Sequence, residues 1–240
     1  MLIDNEVNSR IAKASVAFAR LRKNVWERRG ITHQTKLKVY RAVVLPTLLY
    51  ASETWTIHAR HTKQLNSFHM SRIRKILHIK WQEKLADTEV LNLANIPSIY
   101  TLLQKSQVRW AGHVVRMPDN RLPKQLLYGE LKTGKRDRAG PKKRYKDSLK
   151  ESLKKIDVDV NNWETLASDR TAWRAKVNHQ VQRAEDHRVA AAERKRSARK
   201  ARATTSVAAT NDHLCQHCGR SFGAQIGLFS HLRTHNLQGN

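Results

Sequence analysis

The 240 residues carry 46 Lys and Arg against 20 Asp and Glu, a formal charge of +26, with a pI near 10.7. An apolar fraction of 40 % with six tryptophans argues against a disordered chain, and no apolar run reaches the roughly 18 residues a membrane helix needs. The N-terminus lacks the order of a secretory signal, and the two cysteines lie too close in sequence to staple an extracellular fold. An intracellular, soluble chain that meets a polyanion, with no membrane partner, is expected.

In chain order, Asp4 or Asn5 caps a first helix whose apolar positions Val7, Ile11, Ala14, Phe18, Leu21 and Val25 recur at helical spacing, with Gly30 as its exit. Residues 35–50 form a second, buried apolar segment containing Leu37, Tyr40, Val43, Val44, Leu48 and Leu49, and Pro46 predicts a kink or break within it. Further helices are expected over 61–79, 87–95 and 98–117, the last capped by Ser98. A short helix over 123–128 should stop at Gly129.

Beyond Pro141, neither glycine nor proline occurs until Gly219, so the chain there should be long helix. Residues 142–156 carry Tyr145, Leu149, Leu153 and Ile156 at helical spacing. Trp163, Leu166 and Trp173 suggest two short packed helices, and 169–202 reads as a solvated helix rich in Ala, Arg and Glu. The ATTSVAA run at 203–209 reads as a linker. For the tryptophans, core packing is favoured over base stacking, with Trp81 the exception in doubt.

Residues 215–235 read CQHCGRSFGAQIGLFSHLRTH, placing Cys215, Cys218, His231 and His235 at C-x2-C-x12-H-x3-H spacing. Two thiolates on a turn and two imidazoles one helical turn apart can complete a tetrahedron around one structural Zn²⁺. Phe222 and Leu228 would form the small core, and Gly219 the permissive turn. A disulfide between the cysteines is the rival, disfavoured in a reducing compartment. The base-reading helix positions fall on Ala224, Gly227 and Ser230, which make no bidentate base contact. A sequence-specific transcription factor is therefore a poor reading.

Most of the charge lies elsewhere. Residues 132–155 hold eleven basic side chains, among them Lys132, Lys135, Arg136, Arg138, Lys142, Lys143, Arg144 and Lys146, against three acids. Such a basic loop feeding a helix suits a phosphate backbone, and Arg220 and Arg233 add charge on the finger. PKKRYK and ERKRSARK are similar to nuclear import signals, which predicts a nuclear location and otherwise a cytoplasmic one. G-x-S-x-G, G-x4-G-K-[ST] and H-E-x-x-H motifs are absent, and Asp157–Asp159 reads as a pair of turn acids.

Six phrases in order resemble the C-terminal part of a non-LTR (LINE-type) retrotransposon reverse transcriptase. They are RIAKASVAFARLRKNVW (10–26), TKLKVYRAVVLPTLLYASETW (35–55), RIRKILHIKWQEKLADTEVL (72–91), VRWAGHVVRM (108–117), PKQLLYGEL (123–131) and GPKKRYKD (140–147). Ala51 departs from the family pattern, standing where glycine is usual after Leu-Leu-Tyr, and Pro141 follows Gly140 without the usual arginine.

The resemblance implies a mostly α chain: thumb-like helices over 1–57, a helical post-polymerase region over 58–180, an Arg/Ala-rich helix and linker over 181–210, and a ββα CCHH finger over 211–237. It also implies a truncated product without the catalytic palm, binding RNA or DNA non-specifically and not an enzyme by itself. Its alternatives are a protein-interaction module, including docking on a separate polymerase core, a part of an active reverse transcriptase, and a fragment that aggregates through apolar faces such as Val43, Leu48 and Leu49.

Overall fold

The computed structural model describes residues 3–129, 144–208 and 213–236. Among these the chain is mostly α-helical, with one two-stranded sheet near the C-terminus. It divides into two compact units, Met1–His187 and Arg188–Asn240.

The first unit opens with α1 (Ile3–Arg20), whose Val7, Ala14 and Phe18 are buried, as the apolar spacing predicts. Asp4 lies inside its first turn rather than capping it: one carboxylate oxygen meets His61 Nε2 at 2.9 Å and the other accepts from Arg60 at 2.7 Å. A π-helical turn (Arg22–Trp26) follows and places Trp26 against Phe18, ring centroids 4.7 Å apart, with the indole N–H donating to the Phe18 carbonyl. Gly30 then takes φ +87°, the left-handed exit that glycine permits.

Helices α2 (His33–Val39) and α3 (Leu45–Leu48) join through a π-helical turn, Tyr40–Val44. The kink or break expected at Pro46 takes the form of this interruption of the α-helix, in which the Leu45 N–H reaches back to the Tyr40 carbonyl. That wider turn relieves the clash a proline ring makes with the preceding helical turn. Leu37, Tyr40, Val44 and Leu48 are buried as expected, whereas Val43 points to solvent. Leu48 is fully covered and Leu49 packs on the core, so neither offers an aggregating face.

Helices α4 (Ala59–Ile76), α5 (Asp87–Ala94) and α6 (Ile99–Val115) follow closely where their spacing predicts. The Ser98 hydroxyl accepts the Thr101 N–H at 3.3 Å, the cap read from sequence. α6 is the spine. Its Ile99 and Leu103 complete a core built from α1 to α5, while its Val108, Ala111 and Val114 belong to a second core. The first core therefore runs across residue 57, because α4 covers the apolar faces of α1 and α2.

The second core takes Leu127 from α7 (Leu122–Tyr128), Leu149 and Leu153 from α8 (Tyr145–Lys155), and Trp163 and Ala167 from α9 (Trp163–Ser168). It also takes Trp173, Val177 and Val181 from α10 (Arg170–Ala208), so the start of this helix is core, not solvated. Trp173 thus sits on the long helix instead of a short one. Leu166, expected to pack, is 39 % exposed and belongs to neither core. Helix α10 continues to Ala208, through residues whose composition suggested a linker from 203. With neither glycine nor proline to stop it, an alanine-rich helix propagates one residue at a time.

In the second unit, β1 (His213–Leu214) pairs antiparallel with β2 (Ser221–Phe222), and α11 (Gln225–Asn236) packs on both. This is the expected ββα arrangement. No helix among the described residues is long and apolar enough to cross a membrane.

Candidate metal centre and basic surfaces

The strand pair turns at Gly219, whose φ of +70° lets its N–H reach the Cys215 carbonyl at 2.8 Å, while the Cys215 N–H donates to the Arg220 carbonyl at 2.9 Å. That turn aims both thiols at α11, where His231 and His235 lie one helical turn apart. The four donor atoms of Cys215, Cys218, His231 and His235 all fall within 4.8 Å of one another. Cys218 Sγ and His235 Nε2 each lie 3.0 Å from His231 Nε2. A zinc tetrahedron with Zn–S of about 2.3 Å and Zn–N of about 2.0 Å has edges of roughly 3.3–3.8 Å, so the set fits Zn²⁺ with small adjustments.

The chemistry agrees. Burial pushes the Cys215 thiol up, but hydrogen bonding with the backbones of His217 and Cys218 and with the Cys218 side chain outweighs it, leaving the thiol below its ordinary value. Burial, His235 and Arg220 all hold His231 below the usual histidine range. Thiolate and neutral imidazole are the forms a metal binds. The site is thus positioned to bind a single zinc ion. Phe222 packs its ring 4.8 Å from that of His231, and Leu228 is half-buried beside it, the small core expected.

A unit this small has too little apolar surface to hold itself, and a zinc ion held by all four side chains would supply folding energy there. Helix α11 begins at Gln225, which keeps Ala224, Gly227 and Ser230 at the positions counted from sequence. Arg220 and Arg233 are exposed, the former with its guanidinium 5.9 Å from the Phe222 ring centroid.

Of the predicted basic segment, Lys132, Lys135, Arg136, Arg138, Lys142 and Lys143 lie outside the described residues. Arg144 is exposed just before α8, its backbone N–H donating to the Asp147 carboxylate at 3.0 Å, and Lys146 is half-buried in the first turn of α8. Lys150, Lys154 and Lys155 are exposed along the same helix.

A basic feature that the sequence reading missed is a cleft of about 470 Å³ between α6 and α10. Arg109 and His113 line it from α6, Arg116 from the cap that follows α6, and Arg170 and Arg174 from α10. The signal was available only within each helix, as spacings of 4, 3 and 4; nothing in the chain order says that the two helices meet.

The chain resembles a transposon-derived protein. Over 149 residues it is 26 % identical to an uncharacterized transposon-derived protein of Caenorhabditis elegans, a match covering 59 % of this chain and 53 % of that protein. The chain thus spans about half the length of that relative, and the similarity supports a transposon origin. No family model and no solved structure matches it.

Proposed function

We propose that this chain is a nucleic-acid-binding segment of a non-LTR retrotransposon reverse transcriptase, gripping RNA or DNA largely without regard to sequence. The single observation that carries the reading is the formal charge of +26. A polyanion is the partner that neutralises it, and counterion release then supplies most of the affinity. Support comes from the six reverse-transcriptase-like phrases and from the transposon-derived relative.

In this reading, residues 1–57 are thumb-like, 58–180 post-polymerase, 181–210 a basic connector, and 211–237 a finger whose zinc is architectural. The fingertip residues Ala224, Gly227 and Ser230 leave it without base discrimination. The import-like runs PKKRYK and ERKRSARK favour the nucleus. The chain contains no Tyr-x-Asp-Asp sequence, so it polymerises nothing by itself.

Fluorescence anisotropy of the zinc-loaded protein on labelled RNA and DNA tests this reading. Affinity should fall steeply as salt rises from about 50 to 200 mM, and a flat response rejects it. Primer extension with Mg²⁺ should give no product; nucleotide incorporation would make the chain an enzyme.

One observation favours a second reading, in which the finger docks protein. Ile226 and Phe229 are 79 % and 59 % exposed on α11, an apolar pair turned largely to solvent. A pull-down that survives nuclease treatment and is lost in the double variant Ile226→Ser/Phe229→Ser would establish it.

A further inference from the structure

We infer that the cleft between α6 and α10 is a seat for one unpaired nucleotide of a single strand. The inference rests on the reading that the chain binds nucleic acid, and it names where and in what form. Three features of the cleft point the same way.

The first is charge. Four arginines, Arg109, Arg116, Arg170 and Arg174, line one concave space, and among the described residues no carboxylate forms an ion pair with any of them. Arg116 is held in place, because its guanidinium donates to the Ala167 carbonyl. Such forks match phosphate oxygens in pairs.

The second is aromatic surface inside the same space. Trp110 is half-buried in the wall, with the exposed His113 ring 5.4 Å away at 53°. Trp173, 2 % exposed, forms the floor, its indole N–H donating to the Val108 carbonyl at 3.3 Å. A phosphate alone has no use for an indole wall. A base does, provided it is not already stacked in a duplex.

The third is a carboxylate and a hydroxyl in the same lining. Among the described residues that line the cleft, Glu53 is the one carboxylate, and the Ser106 hydroxyl side chain lines it as well. A carboxylate among four arginines weakens a site meant only for anions, but it accepts hydrogen bonds from the exocyclic amino groups of bases. The cleft volume is also that of a small-ligand pocket, into which a nucleotide fits and a duplex does not. An acidic peptide would use the arginines and leave the indole and the carboxylate unexplained.

The test uses the full zinc-loaded chain, labelled single-stranded and duplex oligonucleotides of equal length, and tryptophan fluorescence. Arg109→Gln/Arg174→Gln should weaken single-strand binding about tenfold or more and lower the salt slope by about 1.4. Trp110→Leu should weaken single-strand binding about fivefold or more and leave duplex binding unchanged. Both arginines are exposed, so that variant should keep its helical circular dichroism.

A wild-type protein that binds oligonucleotides while both variants bind equally well would overturn the cleft alone. A wild type that binds none would sink the broader reading as well. Free mononucleotide binding as tightly as the strand would overturn the strand assignment. Displacement of the strand by polyglutamate, but not by unlabelled strand, would make the occupant an acidic peptide and reject a nucleotide seat.

Discussion

The indole of Trp173 occupies the space that a side chain at position 112 would fill. A Cβ built on Gly112 would lie 2.1 Å from Trp173 Nε1 and 2.5 Å from Cδ1. Glycine in the last turn of α6 is therefore a packing requirement. It lets α10 approach closely enough for Trp173 to reach the Val108 carbonyl and to contact Trp163, ring centroids 5.9 Å apart.

Gly112→Ala should accordingly destabilise the helical unit by about 1–3 kcal/mol, since the ring would have to leave its seat on α6 and its bond to the Val108 carbonyl. At a solvent-facing helix position the same change would stabilise by about 1 kcal/mol, so the sign decides. Urea melts followed by circular dichroism measure it, and a gain in stability would show that the indole is not seated on α6.

Ala51 takes φ +62° at the turn between α3 and the 3₁₀ turn Ser52–Thr54, a conformation that crowds its Cβ. This is the position where the resemblance predicts glycine. Ala51→Gly should stabilise by roughly 0.5–1 kcal/mol, the relief of strain being partly offset by a more flexible unfolded chain. An unchanged or lower midpoint in the same melts would refute it.

Tyr40 Oη lies 2.8 Å from His69 Nδ1 in the first core. Burial pushes His69 down to about 4, against the opposing influence of the Pro97 backbone and Asp87. The unfolded chain binds this proton below about pH 6.5 and the folded chain does not, so stability falls as pH drops from about 6.5 towards 4. His69 alone should remove about 2 kcal/mol between pH 7 and 5. His69→Gln should flatten that part of the profile, and an unchanged slope would assign it to other groups.

Cys215→Ser should abolish stoichiometric zinc and unfold residues 213–236, while α1 to α9 keep their helicity. Atomic absorption gives the metal content, and amide NMR dispersion reports the two units separately. Chelation of the wild-type protein should reproduce the variant. Loss of helicity across the whole chain would show instead that the larger unit depends on the finger.

Most helices were legible because their signals are local. Val7, Ala14 and Phe18 repeat on one face of α1, Ser98 caps α6 with its own hydroxyl, and Gly129 follows α7. The zinc ligands were legible for the same reason: one turn and one helix within 21 residues bring all four donors together.

Amphipathicity failed where a helix changes partner along its length. Trp173, Val177 and Val181 pack inward at the start of α10, but the Arg- and Ala-rich remainder masks that face in any longer window. Pro46 marked where the α-helix is disturbed, but not that a π-helical turn holding the buried Tyr40 and Val44 takes up the disturbance.

The amino-acid sequence by itself determined the charge, the helical class and the tetrahedral donor set, since each depends on composition or on neighbours a few positions apart. Only the tertiary structure decided that Gly112 must be bare and that Arg109 and Arg116 face Arg170 and Arg174 across one cleft. Those relationships join segments some sixty residues apart, and the packing of buried side chains between helices, which chain order does not encode locally, is what brings them into register.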